Sequence, residues 1–421
     1  MAAGVLAGEG KETAVAGIMA AGGKYKVTGD WLMKRNALQQ QVDTLPDLVR
    51  EMVDGLVTAV SRSFSNSLCE GIDFVYLTGC GDSHHAPVNA ELAFRQLAGL
   101  PASALTAMQF ARYTAGYMPR SRNLVIGVSV SGGVSRTAEA LRLAGLSGAV
   151  TATVTGNRRS AVAKEAEIVV DTAVPPLPDE LQGLIVPGTR SYVASQLALY
   201  LIAIHLGQAR GHLTKKAANS LRRELGQIAD LMEQTIAQND AISQQLAREW
   251  QDAGLFVYCG AGPNYGTALF SAAKLLEASG DIALAQDTEE WAHLQYFGRE
   301  ANTPTFIISA GERDVDRAVE IATAAKTIGR RVAVVTPPDN PLGQTADKDV
   351  LLPIPRVREC FSPLLACLPG TLFAAARAEL LGEPYFRAFG GGRSKEGGGG
   401  ISRIRDSHQI TELPHPKTML Q

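Results

Sequence analysis

Five cysteines are scattered through 421 residues (Cys69, Cys80, Cys259, Cys360 and Cys367), and no two form a CxxC pair. That spacing excludes a dense disulfide framework, and most of these thiols lie in apolar runs, as buried thiols in a reducing cytoplasm do. No HExxH motif or clustered Cys/His site occurs, and the adjacent His84 and His85 show no metal-ligand spacing, so neither a metal nor a cofactor is expected. Neither charge dominates: 40 basic residues face 42 acidic ones, for a formal net charge of −2. This argues against general nucleic-acid binding, which needs basic stripes. No uninterrupted apolar run reaches the ~18 residues that span a bilayer. The Ala/Gly-rich start carries Glu9, Lys11 and Glu12 and lacks a basic segment followed by an apolar core, so no signal peptide is expected and the reading is cytoplasmic.

What the chain does have is a repeat. Residues 74–94 read FVYLTGCGDSHHAPVNAELAF, and residues 256–276 read FVYCGAGPNYGTALFSAAKLL. Each passes from a β-prone run through a Gly-rich turn into an Ala/Leu-rich helical pattern. The first turn glycines, Gly79 and Gly260, stand 181 residues apart, which is a domain duplication rather than a solenoid period. Two such halves facing each other form a cleft, and a Gly turn feeding a helix can bind an anion.

The alternation of strands and helices predicts two doubly wound parallel α/β domains in tandem. Residues 1–69 are an N-terminal extension, loose over 1–23, with helical periodicity over 30–64 and Pro46 in a first turn. The first domain spans 70–210, with strands at 73–78, 124–130, 150–155 and 167–171 and a long helix over 190–207. A charged helical connection covers 211–253. The second domain spans 254–389, with strands at 255–259, 304–309, 331–336 and 349–352 and a helix over 361–381. Residues 390–421 form a tail that holds seven glycines over 390–409 together with Arg393, Lys395, Arg403 and Arg405. It reads either as disordered or as a cationic flap that closes over an anionic ligand.

Two motifs carry chemistry. The segment GVSVSGGVSRT (127–137) follows a strand and opens a helix. Ser129, Ser131 and Ser135 crowd one turn with Gly132 and Gly133, and Arg136 adds a charge. Hydroxyls, close-approach glycines and a helix N-terminus together suit a phosphate; a Ser-rich helix cap without a ligand is the plainer alternative. In the second half, SAAKLLEASGDIALAQDTEEWAHLQ (271–295) reads as one helical run. Lys274 and Glu277 lie three apart, so both face one side of a helix. His293 lies 16 residues beyond Glu277. A solvated helix salt bridge competes with a functional pair here.

On these residues the chain resembles the double-domain members of the sugar isomerase (SIS) family, such as the isomerase half of the glucosamine-6-phosphate synthases. Cys80-Gly81-Asp82-Ser83 resembles that family's Cys-Gly-Thr-Ser turn. Ser129-Val130-Ser131-Gly132-Gly133-Val134 is similar to its Ser-Gln-Ser-Gly-Glu-Thr phosphate loop, and Val186-Pro187-Gly188-Thr189-Arg190 to its Val-Ala-Ser-Thr-Lys segment. The resemblance covers roughly residues 30–395. It implies a phosphosugar aldose–ketose isomerase in which Glu277 shuttles a proton between C1 and C2, His293 assists ring opening and Lys274 steadies the base or the enediolate. It places Ser83, Asp82, Ser129, Ser131, Gly132, Ser135 and Arg190 on the substrate, with Lys395 or Arg393 where relatives have a Schiff-base lysine.

Three departures matter. Asp82 replaces a hydroxyl, which favours a substrate bearing an amine and keeps a deaminase, deglycase or ammonia-dependent aminotransferase in play. Val130 and Val134 remove two polar side chains from the phosphate loop, so a sulfonate or carboxylate stays open beside phosphate. No glutaminase domain with an initiating Cys precedes the first unit. A non-catalytic sugar-phosphate regulator is the remaining alternative. The resemblance further implies a homodimer whose site takes His293 from the partner, a small-molecule sugar phosphate as ligand, and neither nucleic acid nor membrane as partner.

Overall fold

The computed structural model describes residues 35–177, 179–345, 350–398 and 406–413. The expected loose extension at 1–23, the start of the helical periodicity at 30–34, Arg403 and Arg405 lie outside the described residues. The first half builds a parallel sheet from β1 (Phe74–Gly79), β2 (Ala102–Thr106), β3 (Asn123–Val128), β4 (Val150–Thr155) and β5 (Ile168–Asp171), ordered β2-β1-β3-β4-β5. The second repeats it with β6 (Leu255–Gly260), β7 (Ile282–Gln286), β8 (Pro304–Ile308), β9 (Arg331–Thr336) and β10 (Val350–Pro353), ordered β10-β9-β8-β6-β7. Read from the opposite edge, that is the same order. The central strands are buried on both faces, as a parallel sheet covered by helices requires.

The structure corrects the strand count from four to five per half. Strands β2 (ASALT) and β7 (IALAQ) lie at sheet edges and are half exposed, so they lack the β-branched apolar run that marks a buried strand. It also breaks the expected 271–295 helix. The helix Pro263–Ala278 ends at Ser279-Gly280, where Gly280 takes φ +81°, then β7 intervenes and a short helix Thr288–His293 follows.

Each half ends on an apolar core helix, Arg190–Ala209 and Pro363–Leu381. Both are long and apolar enough to cross a membrane by length and composition, but 83% of each apolar window is buried inside the protein. The 35-residue helix Lys215–Glu249 is more than a connection: Leu225, Ile228, Met232 and Ile236 bury against the core.

The halves meet through the helices that follow β1 and β6, Asp82–Leu97 and Pro263–Ala278. Asn89 donates to the Pro263 carbonyl and to Thr267 Oγ1, and accepts from Tyr192 Oη at 3.0 Å. Tyr192 stacks on Phe270 with ring centroids 3.7 Å apart. A side chain at Gly266 would strike Asn89, so glycine lets the two helices close together.

Candidate active site between the two halves

The turns that opened the sequence comparison have one geometry. Gly81 and Gly262 precede the two helices with φ +57° and +52°, a backbone that only glycine adopts without strain. In a parallel sheet of order 2-1-3-4-5 the strand order reverses between β1 and β3, and ligands bind in the crevice at those strand ends. Thr78 pairs with Gly127 in the β1–β3 ladder, so the Cys80–Ser83 turn and the serine turn leave the sheet side by side.

At the β1 end the two halves exchange charge. Lys274, with its side chain fully buried, donates to Asp82 Oδ2 at 2.6 Å and to Glu277 Oε2. The two carboxylates keep 25% and 29% of their side-chain surface exposed, so the ammonium forms the floor of a cluster whose acids face outward. His85 Nδ1 stands 3.3 Å from Asp82 Oδ1, without an aligned hydrogen bond on either atom. This is no solvated helix pair, since one partner comes from the other half, 192 residues away. Asp82 also faces Lys274 instead of opposing an anion.

These contacts set the protonation states. Burial alone would raise Asp82, but Lys274 and His85 outweigh it and hold its carboxyl below the usual range. Burial would lower Lys274, but the two carboxylates keep its pKa above the ordinary lysine value. Burial, helped by the Asp82 charge, pushes Glu277 up against the pull of Lys274. A carboxylate with a raised pKa beside a permanent cation is suited to taking up and returning a proton. Beside His85, burial pushes the His84 imidazole down to about 4, which keeps it neutral at pH 7.

The serine turn does not serve as a side-chain cap among the described residues. Val134 occupies the cap of helix Ser135–Leu146, and no side chain caps that helix. Ser129 is 1% exposed, and its Oγ has no hydrogen-bond partner among the described residues. Ser131 is exposed, and its Oγ accepts from the Gly133 amide at 3.4 Å. Gly132 wedges against Ser160, where a Cβ has no room, and its carbonyl accepts from the Val162 amide. Ser135 Oγ donates to Asp406 Oδ1 and accepts from the Ser407 amide. Arg136 is engaged by Glu139, Ser407 and the His408 carbonyl.

The other expected residues fall elsewhere. Ser83 enters its helix beside Asp82, its amide donating to the Cys80 carbonyl. Arg190 is buried and donates to Thr44 Oγ1 and the Pro175 carbonyl, so it ties the start of its helix to neighbouring segments. His293 is 63% exposed and 3.1 Å from Glu289 Oε1. Its neighbouring acid is Glu289, which Arg317 braces. Within one chain no hydrogen bond joins His293 to Glu277 among the described residues. Arg393 and Lys395 are exposed and make no bond to the serine turn among the described residues. Sequence reasoning missed the role of His85: its place three residues after Asp82, on one helix face, was the available signal.

The SIS domain model matches residues 73–205. Curated relatives include the glutamine–fructose-6-phosphate aminotransferases (isomerizing) of Gloeobacter violaceus and Thermosynechococcus vestitus. The first is 27% identical over 80% of this chain and 54% of its own length, the second 28% identical over 81% and 56%. The chain thus spans about half the length of these relatives. Among solved structures, the C-terminal domain of glucosamine-fructose-6-phosphate aminotransferase from Francisella tularensis superposes with a TM-score of 0.72 at 18% identity, covering 83% of this chain and 97% of that one. Tagatose-6-phosphate ketose/aldose isomerase from Escherichia coli gives 0.67 at 15% identity over 84% and 95%. Glucosamine-6-phosphate deaminase from Thermotoga maritima gives 0.61 at 18% identity over 83% and 96%. The SIS domain model thus matches the first half of the chain, and the second half repeats the same sheet order.

Proposed function

We propose that the chain is a phosphosugar aldose–ketose isomerase that works through an enediol(ate), with Glu277 as its base. The observation that carries this reading is the cluster of Glu277, Lys274 and Asp82 where the halves meet, next to a serine turn with a buried, unpartnered hydroxyl. The serine turn holds the anion of the substrate. Glu277 removes the proton alpha to the carbonyl and returns it to the neighbouring carbon. Lys274 keeps a positive charge beside the developing oxyanion. Names borne by relatives, an isomerizing aminotransferase and a ketose/aldose isomerase, agree with this class. The second reading, amine release from a 2-amino or fructosamine-type phosphosugar, draws on Asp82 Oδ1, a buried acceptor with no aligned donor. The site is completed in a homodimer by His293 of the partner.

A panel of hexose and hexosamine 6-phosphates in deuterated water tests both readings. Isomerisation washes deuterium into C1 or C2 of the product, and amine release yields ammonia. Turnover of no member with tight binding of one makes the protein a sugar-phosphate regulator instead.

A further inference from the structure

Residues 406–413 are the acidic end of a tail whose earlier part is basic, and they are docked. The strap crosses the helices Ala107–Tyr113 and Ser135–Leu146 of the first half. Ile410 and Leu413 pack onto the cluster of Tyr76, Phe110 and Leu141. The Ile410 amide donates to Glu139 Oε2 at 3.2 Å, and Arg142 donates to Gln409 Oε1 at 3.0 Å. At its leading end Ser135 Oγ donates to Asp406 Oδ1 at 3.3 Å, the Ser407 amide donates back to Ser135 Oγ at 3.1 Å, and Arg136 donates to the His408 carbonyl at 2.9 Å.

Two groups at the start of the serine-turn helix, one a hydroxyl and one a guanidinium, are therefore spent on the chain itself. A carboxylate stands at the mouth of a turn that otherwise offers hydroxyls, amides and an uncapped helix end. The deeper hydroxyl, Ser129 Oγ, stays unpartnered. A phosphate entering here meets a like charge and finds Arg136 turned away. We infer that the strap is an internal competitor: Asp406 holds the outer part of the anion turn, and ligand must displace it. This rests on the reading of the serine turn as the anion site. By linkage, whatever strengthens strap docking weakens anion binding by the same factor, and the reverse.

The test uses inorganic phosphate with the full chain, with Asp406→Asn, and with a chain ending at residue 405. Calorimetry should show phosphate binding three- to tenfold more tightly to both variants than to the full chain. In the full chain, saturating phosphate should speed hydrogen exchange at the Ser407 and Ile410 amides, whose bonds to Ser135 and Glu139 break when the strap leaves. Equal or weaker binding by both variants overturns the inference, and so does slowed exchange, which marks a strap that closes over ligand. Those outcomes leave the proposed function standing. Phosphate binding by none of the three chains removes the anion turn itself, and the proposed function with it.

Discussion

The two halves share a sheet order and differ in what they do with it. In the first half the turn after β3 carries Ser129, Ser131 and Ser135, with one hydroxyl buried and unpartnered. In the second half the turn after β8 engages its own serine. Ser309 Oγ donates to Asp314 Oδ1 at 2.8 Å, and Glu359 closes over Gly311 and pairs with Arg313. Carboxylates stand at this turn, where the first half has the unpartnered Ser129, and their charge disfavours an anion. The helices after β1 and β6, each 16 residues long, differ in the other direction. At the repeat distance, Lys274 and Glu277 correspond to Ala93 and Gln96. On the proposed function, one half supplies the anion-binding turn and the other the base and its lysine, so the duplicated scaffold would support one site instead of two.

The largest expected effect falls on the reactive side. Glu277→Gln keeps shape but removes the base, and should cut turnover ~10²–10⁴-fold while leaving ligand binding within about tenfold. Gln96→Glu, its counterpart in the first half, should leave turnover unchanged. Ordinary turnover in the Glu277 variant ends its assignment as base. Mixing that variant with His293→Ala should restore part of the activity if the two residues meet across subunits, and none if they serve the same chain's site.

A smaller effect belongs to the binding side. Ser129→Ala combined with Ser131→Ala removes hydrogen bonds to a charged group, each worth roughly 1.5–3 kcal/mol. Affinity for a sugar phosphate should fall by at least about tenfold per hydroxyl, with little change for the unphosphorylated sugar. Ser309→Ala in the second half should leave affinity as it was. Equal losses at both turns would mean that the halves bind alike.

The smallest effect is one of stability. Burial pushes the Asp314 carboxyl from its ordinary 3.8 up to about 6. Between those values the folded chain holds a proton that the unfolded chain releases. Stability from this group is therefore full below about pH 4 and is lost as pH rises through about 6. Asp314→Asn should remove that dependence and gain up to about 3 kcal/mol at pH 7. Urea denaturation of both proteins across pH 4–7 measures the difference. Parallel curves would show that Asp314 titrates normally.

Much of this comparison could be read before the structure. The Gly turns stand out because their backbone admits no other residue, and the central strands because burial on both faces demands a continuous apolar run. Strands β2 and β7 could not be read, since an exposed edge relaxes that demand. The run from Lys274 to His293 looked continuous because Ile282–Gln286 is as helix-compatible as it is strand-compatible, and only the tertiary ladder to β6 decides. Lys274 and Glu277 showed as a helix pair. Asp82 did not show as their partner, because nothing local to residue 82 encodes a contact 192 residues away. The docked strap was hidden behind the glycines that precede it.

That long reach between Asp82 and Lys274 has a consequence for how the protein is made. Domains fold as units during synthesis, at roughly 5–20 residues per second, with the N-terminal one first. The ribosome therefore needs roughly 10–40 s after Asp82 to add Lys274. Throughout that interval the emerging polypeptide has an acid without its cation and a serine turn without its base. On the proposed function, a truncated translation product would hold a sugar phosphate without converting it, and chemistry would begin only in a chain whose second half has been synthesised and docked.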